Sequence, residues 1–266
     1  MSLYGNRNVS NFGTRKVNLS AEEEASGNVG KALTLSTKRG SELAWRFNKD
    51  NLSWLKRREL FQEIYGLCRE SFCVKDSSEF RNDVKHHIFD THEICIVPFG
   101  NVPDGLSPTC FKTDKIAAFA SYNFLHYWTN REFIYFSGIV VDTSLQGLNY
   151  GSLLMQEIMK SNGIKLAVLR TQSPVMYNSF AKVCKVFPSF DGREIPGEIK
   201  NIGKYVARNI LRMSDYDEGK MIGKETYGKS LYGKEPILNN SELNRIFKQK
   251  INASRGDSII VVGELK

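Results

Sequence analysis

The stretch that most constrains the fold is residues 133–163, which read FIYFSGIVVDTSLQGLNYGSLLMQEIMKSNG. Residues 133–141 are rich in aromatic and β-branched side chains, a composition typical of a packed strand, and a polar turn begins at Asp142. Apolar residues then recur at helical spacing from Tyr150 to Met159, and Asn162 with Gly163 supplies a helix stop. The stretch therefore predicts a buried strand, a tight glycine-bearing loop and an amphipathic helix.

The junction between that loop and the helix favours an anion. The first backbone N–H groups of a helix lack intrahelical partners and lie at the positive end of its dipole, so a phosphate can bind them where no side chain blocks its approach. Gly147 and Gly151 remove two such obstacles. The residue pattern thus predicts a place where a phosphate can bind.

The same residues resemble the acyl-CoA signature of the GNAT superfamily of N-acetyltransferases, Q/R-x-x-G-x-G/A at a strand-loop-helix junction. The matching run is Val140-Val141-Asp142 followed by QGLNYGSLL at residues 146–154. Asn149 stands where the family usually has its first glycine, and asparagine enters the left-handed backbone region more readily than other non-glycine residues. The resemblance implies an α/β (α+β) fold with a mixed, mostly antiparallel central sheet flanked by helices.

The resemblance also implies a binding site for acetyl-CoA as cosubstrate. Backbone groups at the end of the strand would bind the pantetheine and the thioester carbonyl, namely those of Ile139, Val140 and Val141. The loop would hold the pyrophosphate, through Gln146, Gly147, Leu148, Asn149, Tyr150, Gly151 and Ser152.

The implied reaction is direct attack of a primary amine on the thioester, which needs a proton acceptor and a proton donor. In many family members the donor is a tyrosine on the helix after the next strand. Tyr177 on that predicted helix is the candidate, although aligning Ser173 with the family's usual asparagine puts Phe180 at the expected position. Glu132, at the start of the strand that enters the loop, is the candidate base. A packed Tyr177 and a solvated Glu132 beside Arg131 are the structural alternatives.

The flanking segments have the pattern of the same fold. Helical spacing from Ser41 to Cys68 predicts two helices. A further helix is predicted to begin at Pro174, after the strand predicted at residues 164–171. Short apolar runs predict further strands at residues 94–97, 115–122, 164–171, 186–188 and 257–263. Residues 129–131 predict a hairpin connection into the strand of the acyl-CoA loop, and the last strand is expected to return to the core sheet.

The chain is expected to divide into a mobile polar arm at residues 1–40 and a single GNAT-like domain at residues 41–266. Residues 191–256 are an insertion or extension within that domain. Part of it, residues 218–236, repeats Gly-Lys among tyrosines. A basic aromatic loop can hold nucleic acid or a nucleotide phosphate, and an ordered surface loop is the alternative.

Composition limits the remaining function classes. The net charge of +8 suits a polyanionic partner or a ligand that carries phosphates. The chain has no apolar run of about 18 residues and no secretory signal, so we expect no membrane span and a cytoplasmic location. Its five cysteines are irregularly spaced and are expected to be reduced. No metal is predicted, because these four residues lack the spacing of a standard zinc site: His86, His87, His92 and Cys95.

The sequence thus favours an N-acetyltransferase that uses acetyl-CoA on a small-molecule or protein amine. Two alternatives stay open at this point. One is a non-catalytic acyl-CoA-binding protein of the same fold, and the other is a nucleic-acid-binding module based on the positive charge and residues 218–236.

Overall fold

The computed structural model describes residues 31–37, 40–99, 115–127 and 131–266. The strands in these ranges are β1 (Lys31–Thr37), β2 (Gly40–Phe47), β3 (Glu93–Pro98), β4 (Ile116–Tyr127), β5 (Arg131–Val141), β6 (Leu166–Thr171), β7 (Cys184–Phe187), β8 (Tyr216–Asp217), β9 (Ile222–Gly223) and β10 (Ser258–Leu265). The helices are α1 (Trp54–Phe72), α2 (Ser78–Phe89), α3 (Tyr150–Ser161), α4 (Pro174–Val183), α5 (Gly197–Tyr205) and α6 (Ser241–Lys250). A π-helical turn, Val206–Ile210, continues α5.

The strands form one sheet in the order β1-β2-β3-β4-β5-β6-β10-β9-β8, and β7 also pairs with β10. Neighbouring strands are antiparallel except β5 and β6, which run parallel. Helices cover both faces, because alternate strand residues bury apolar side chains on opposite sides. The predicted fold class, a mixed and mostly antiparallel sheet flanked by helices, is confirmed.

The strand β10 illustrates how the two faces are filled. Ile259 and Val261 pack with α3, α4 and α6 on one face, whereas Ile260 and Val262 pack with α5 on the other. All four side chains are fully buried. The strand predicted at residues 257–263 is therefore found inside the sheet, between β6 and β9.

Side-chain caps fix where most of the helices begin. In four helices a backbone N–H of the first turn donates a hydrogen bond to the side chain of the capping residue. The capping residues are Ser53 for α1, Ser77 for α2, Ser173 for α4 and Asn240 for α6. Each such cap stabilises a helix by about 1 kcal/mol. The start of α3 differs, since Asn149 at its N-cap makes no side-chain cap hydrogen bond.

The parallel strands β5 and β6 pair over a short distance and then part. Their register joins Ile134 to Ala167 and ends at Phe136 opposite Leu169. Beyond that point β5 continues along β4, and β6 continues along β10. The register of β5 against β4 also shifts at Ser137, which is the extra residue of a β-bulge. A cleft opens between the two diverging strands.

One prediction about the first part of the chain is wrong. Residues 41–47, predicted to be helical, lie in β2, because pairing with β1 and β3 on its two edges outweighs the local apolar spacing. Residues 31–37 lie in β1, which pairs with β2. Residues 1–30, the predicted loop at 100–114 and the turn at 129–130 lie outside the described residues. The division into an arm and one domain with an insertion stays a prediction.

Candidate active site

The loop between β5 and α3 has the backbone geometry that an anion site needs. Asn149 is in the left-handed region with φ 69 and ψ 12, and Gly147 has φ +84 with open space around its Cα. The first helical hydrogen bond of α3 runs from the Leu153 N–H to the Asn149 carbonyl at 3.0 Å. The amides of residues 150–152 therefore precede the helical ladder, at the positive end of the helix dipole.

Side chains of the loop hold it against the rest of the fold. The Tyr150 hydroxyl hydrogen-bonds the Glu42 carboxylate, and the Ser152 hydroxyl donates to the Ser179 carbonyl at 2.9 Å. Leu148 packs against the core. Gly151 lies on the end of β5, where an added Cβ would be 3.8 Å from the Ile139 and Val141 methyl groups. These contacts hold the side chains of Leu148, Tyr150 and Ser152 against the fold.

A lysine that sequence reasoning missed lies beside the same loop. The Lys182 ammonium, on the exposed side of α4, donates a hydrogen bond to the Asn149 side-chain oxygen. It adds a positive charge to the positive end of α3, an arrangement that a bound anion stabilises. No local pattern predicts this role, because it depends on how α4 packs against α3.

The end of β5 is held by a buried acid. The Asp142 carboxylate accepts hydrogen bonds from the Ser144 N–H at 2.9 Å and hydroxyl at 2.6 Å, and Lys115 lies 3.0 Å away. Burial opposes ionisation, but these bonds and the lysine charge lower the pKa of Asp142 on balance. The Val141 carbonyl accepts from the Ser71 hydroxyl at 2.9 Å and the Gln146 amide at 3.2 Å.

A cavity lies between the diverging strands. Ile139 and Val140 line it, whereas residues 146–152 lie outside it. Its polar side chains are Asp83, His87, Ser137, Arg170, Thr171 and Gln172. Its aromatic side chains are Phe72, Phe80, Phe119, Phe136, Tyr227 and Tyr232.

The polar side of the cavity centres on His87. Its Nδ1 lies 2.8 Å from the Ser137 hydroxyl, and its Nε2 lies 3.7 Å from the Asp83 carboxylate. Burial lowers the pKa of His87, and the Arg170 charge adds to that shift while Asp83 opposes it. The imidazole is therefore neutral at pH 7 and can accept a proton. Sequence reasoning weighed His87 as a metal ligand and missed this role.

A tyrosine from residues 218–236 completes the cavity. Burial raises the pKa of Tyr232 to about 12, and hydrogen bonds with Ser173 and Thr171 oppose that shift. The hydroxyl stays protonated at neutral pH and can act as a donor. Its position could not be predicted, because it comes from a segment whose glycines and lysines carry no periodic signal.

The two catalytic residues predicted from the sequence lie elsewhere. The Tyr177 hydroxyl donates to the Pro188 carbonyl at 2.9 Å, and its ring packs on Phe190 and Phe247. Glu132 lies near the start of β5, at the strand end far from Val141, with its carboxylate 3.7 Å from the His126 ring. The described cavity lining includes neither residue. The packed alternative for Tyr177 fits these contacts, because burial raises its pKa to about 12 and its hydroxyl donates a hydrogen bond to a backbone carbonyl.

The histidines and cysteine near residue 90 do not converge. His86 contacts Asp90 at 2.7 Å, His87 faces the cavity, and Cys95 is buried in β3. In the described ranges, no group of three or more His, Cys, Asp or Glu side chains is placed to hold a metal ion. Nor does any described helix have the length and apolar composition that crossing a bilayer requires.

A comparison with curated proteins found no match to this chain, whereas a comparison with solved structures found similar folds. Similar solved structures include the Escherichia coli ribosomal-protein-S18-alanine N-acetyltransferase, with 12% identity, TM-score 0.40 and coverage of 84% of this chain and 94% of that one. The catalytic domain of the Tetrahymena GCN5 histone acetyltransferase, in complex with coenzyme A, has 15% identity, TM-score 0.37 and coverage of 66% and 87%. The IAA acetyltransferase from Bacillus cereus has 13% identity, TM-score 0.35 and coverage of 84% and 98%.

The sequence itself carries the stronger finding. The family model described as the acetyltransferase (GNAT) family matches residues 59–176. The matched residues run from α1 through the β5 to α3 junction to the start of α4. Residues 59–176 of this chain are therefore similar to the acetyltransferase (GNAT) family.

Proposed function

We propose that this protein is an N-acetyltransferase that transfers the acetyl group of acetyl-CoA to a primary amine. The observation that carries the proposal is the divergence of β5 and β6 beyond Phe136 and Leu169. The divergence opens a cavity that contains a neutral imidazole, and the start of α3 lies at the end of the same strand. One cleft can thus hold a thioester near a base.

Acetyl-CoA would bind along the end of β5. The amides of residues 150–152 and the Lys182 ammonium would hold the pyrophosphate, with Gln146, Gly147, Leu148 and Asn149 shaping the approach. The pantetheine would lie against Ile139, Val140 and Val141, which follow the residues of β5 that pair with β6. This placement brings the thioester to the cavity.

The amine would attack the thioester carbonyl from the cavity side. The nitrogen forms the C–N bond, the C–S bond breaks, and His87 takes the proton that the amine loses, directly or through a water. The Tyr232 hydroxyl would supply a proton to the departing thiolate, and the proton taken up by His87 would return to the Tyr232 oxygen through solvent. The products are an N-acetyl amine and free CoA, so atoms and charges balance.

The test measures free thiol and acetylated amine together, with purified protein, acetyl-CoA and a panel of primary amines. The proposal expects equal amounts of thiol and N-acetyl amine, and saturation by both reactants. Binding of acetyl-CoA with no thiol release from any amine would instead support a non-catalytic acyl-CoA-binding protein.

The nucleic-acid alternative has less support from the geometry. Three lysines of residues 218–236 contact carboxylates, with Lys220 near Asp217, Lys224 near Asp215 and Lys229 near Glu79. These pairs reduce the positive potential that a phosphate backbone would need. Tight RNA or DNA binding at physiological salt, without a thermal shift by acetyl-CoA, would favour that alternative.

A further inference from the structure

The acceptor side of the cavity is covered by a segment outside the family-matched residues. Residues 227–233, here called the strap, contribute Tyr227, Leu231 and Tyr232 to the cavity lining. The matched region ends at residue 176, so this cover belongs to the chain's C-terminal extension. Residues of α1 and α2 also line the cavity, and the strap adjoins the end of α1.

The strap is fixed to the fold at several points. The Gly233 N–H donates to the Phe72 carbonyl at 2.9 Å, and the Tyr227 N–H donates to the Gly256 carbonyl at 3.1 Å. Between these ends the Leu231 N–H donates to the Gln172 side chain at 3.0 Å. The strap therefore spans from the end of α1 to the loop before β10.

Two close contacts show how tightly the strap is seated. A Cβ added at Gly233 would lie 2.0 Å from the Cys73 carbonyl oxygen, and one added at Gly256 would lie 2.4 Å from the Gly228 nitrogen. At both places the nearest atoms belong to the backbone, so a side chain there would have to displace the main chain. The strap is consequently a wall of the cavity.

The wall and the surfaces that it faces are apolar and aromatic. The Tyr232 ring lies 5.0 Å from the Phe72 ring, and Phe72 lies 6.0 Å from Phe80. Arg170 extends this layer, with its guanidinium 3.9 Å from the centre of the Tyr227 ring. Such a surface gains free energy by burying an aromatic or branched apolar group.

We propose that the strap restricts the acceptor to a small primary amine with an aromatic or branched apolar body. This inference rests on the proposed function and names its substrate class. A polypeptide amine needs an open groove for the chain on each side of the reacting residue, and the strap occupies that side of the cleft. A slender polar polyamine would leave the aromatic walls uncovered and would lose its own hydration.

The charges near His87 act in two ways on an amine that arrives as a cation, because Asp83 attracts it and Arg170 disfavours its charged form. Asp83 lies next to His87 and attracts an ammonium group. Once the amine is buried beside the imidazole, desolvation disfavours its charged form, as it does for His87. The nucleophilic neutral amine is then favoured close to the thioester.

The first experiment compares acceptors by kcat/KM for thiol release from acetyl-CoA. The panel is 2-phenylethylamine, 1,5-diaminopentane, and an octapeptide with a blocked N-terminus and one lysine. We expect 2-phenylethylamine to exceed each of the others by about tenfold or more, the scale at which apolar pockets discriminate. Thiol release with the peptide as the best acceptor overturns the inference alone, whereas no release with any amine overturns the proposed function as well.

The second experiment tests the strap through one position. Leu231→Ala should raise the ratio of kcat/KM for tryptamine over 2-phenylethylamine by about fivefold, and Leu231→Trp should lower it, because the two changes alter the cavity in opposite directions. Ile237→Ala is the matched control, since Ile237 is 70% exposed and outside this cavity. Acetyl-CoA titration of each variant verifies that it is folded. An unchanged ratio in both Leu231 variants would overturn the inference.

Discussion

At the scale of single residues, His87 carries the most specific expectation. Replacement of His87 by Gln keeps a polar side chain of similar size but removes the base, so kcat/KM should fall by about 100-fold. His86→Gln is the matched control, because the neighbouring ring contacts Asp90 and not the cavity. Steady-state kinetics of the two variants separate the roles, and equal losses would contradict the assignment.

The pH dependence follows from the same residue. The pKa of His87 lies below its ordinary value of 6.5, so the wild-type kcat/KM should fall only below that pH, and His87→Gln should lack this acidic limb. For folding, a lowered pKa means that the unfolded chain binds more protons below pH 6.5, so stability is lost as the pH falls through that range. Melting temperatures from pH 7.5 to 5 should decline more for the wild type than for His87→Gln.

A second residue-scale prediction concerns Lys182. Lys182→Ala should weaken acetyl-CoA binding by about fivefold at low salt and less at high salt, because an exposed charge contact contributes up to about 1 kcal/mol and is screened. Lys185→Ala removes an exposed lysine from the adjoining strand and should change nothing. Calorimetric titration checks both variants, and a loss with Lys185→Ala equal to that with Lys182→Ala would refute a local role.

Single residues differ in how far the sequence predicts them. The left-handed Asn149 was expected, because that conformation depends on the local backbone preference of asparagine. His87 and Tyr232 were not, because each enters the site through the packing of an element distant from the loop in sequence. The catalytic role of Tyr177 stays a prediction: its helix has the expected position, but its hydroxyl bonds the Pro188 carbonyl and it does not line the cavity.

At the scale of elements, the seating of the strap can be tested at Gly233. A methyl group there would lie 2.0 Å from the Cys73 carbonyl oxygen, so Gly233→Ala must displace the strap. The KM for the acceptor should rise several-fold while acetyl-CoA affinity stays the same, since the strap lies on the acceptor side. Gly197→Ala serves as control, because its added Cβ meets open space. Parallel losses of acceptor and acetyl-CoA binding would show a general folding defect instead.

The packing of β10 on α4 gives an element-scale prediction for stability. A Cβ at Gly263 would lie 2.6 Å from the Phe180 ring, so Gly263→Ala should destabilise the fold by about 1–3 kcal/mol. In contrast, Gly66→Ala in α1 meets open space and should stabilise by about 0.5–1 kcal/mol, because alanine is the better helix former. Urea unfolding of the two variants gives both values, and the same sign for both would contradict this packing.

Elements were predictable where one signal dominated. The strand, loop and helix of β5 and α3 follow from composition and period, and they form as expected. The apolar residues in and after β2 recur at spacings of three and four residues, which predicts a helix. A local pattern does not show that β2 pairs with β1 and β3, and this pairing decides the structure.

At the scale of the whole molecule, the site combines parts from separate regions of the chain. The family-matched residues supply the diverging strands, the proposed base His87 and the helix start. The later residues supply the strap and β10, which pairs with β6 and thereby holds one arm of the cleft. A fold class could be predicted from the family-like core, but the cover of the cavity required the three-dimensional structure.

Amide hydrogen exchange with and without acetyl-CoA tests the central claim most directly, because it locates the cosubstrate on the intact protein. Bound acetyl-CoA should slow exchange at the amides of residues 139–141 and 147–152, where the thioester arm and the pyrophosphate are proposed to lie. Protection that appears elsewhere, with these two segments unchanged, would contradict the proposed site.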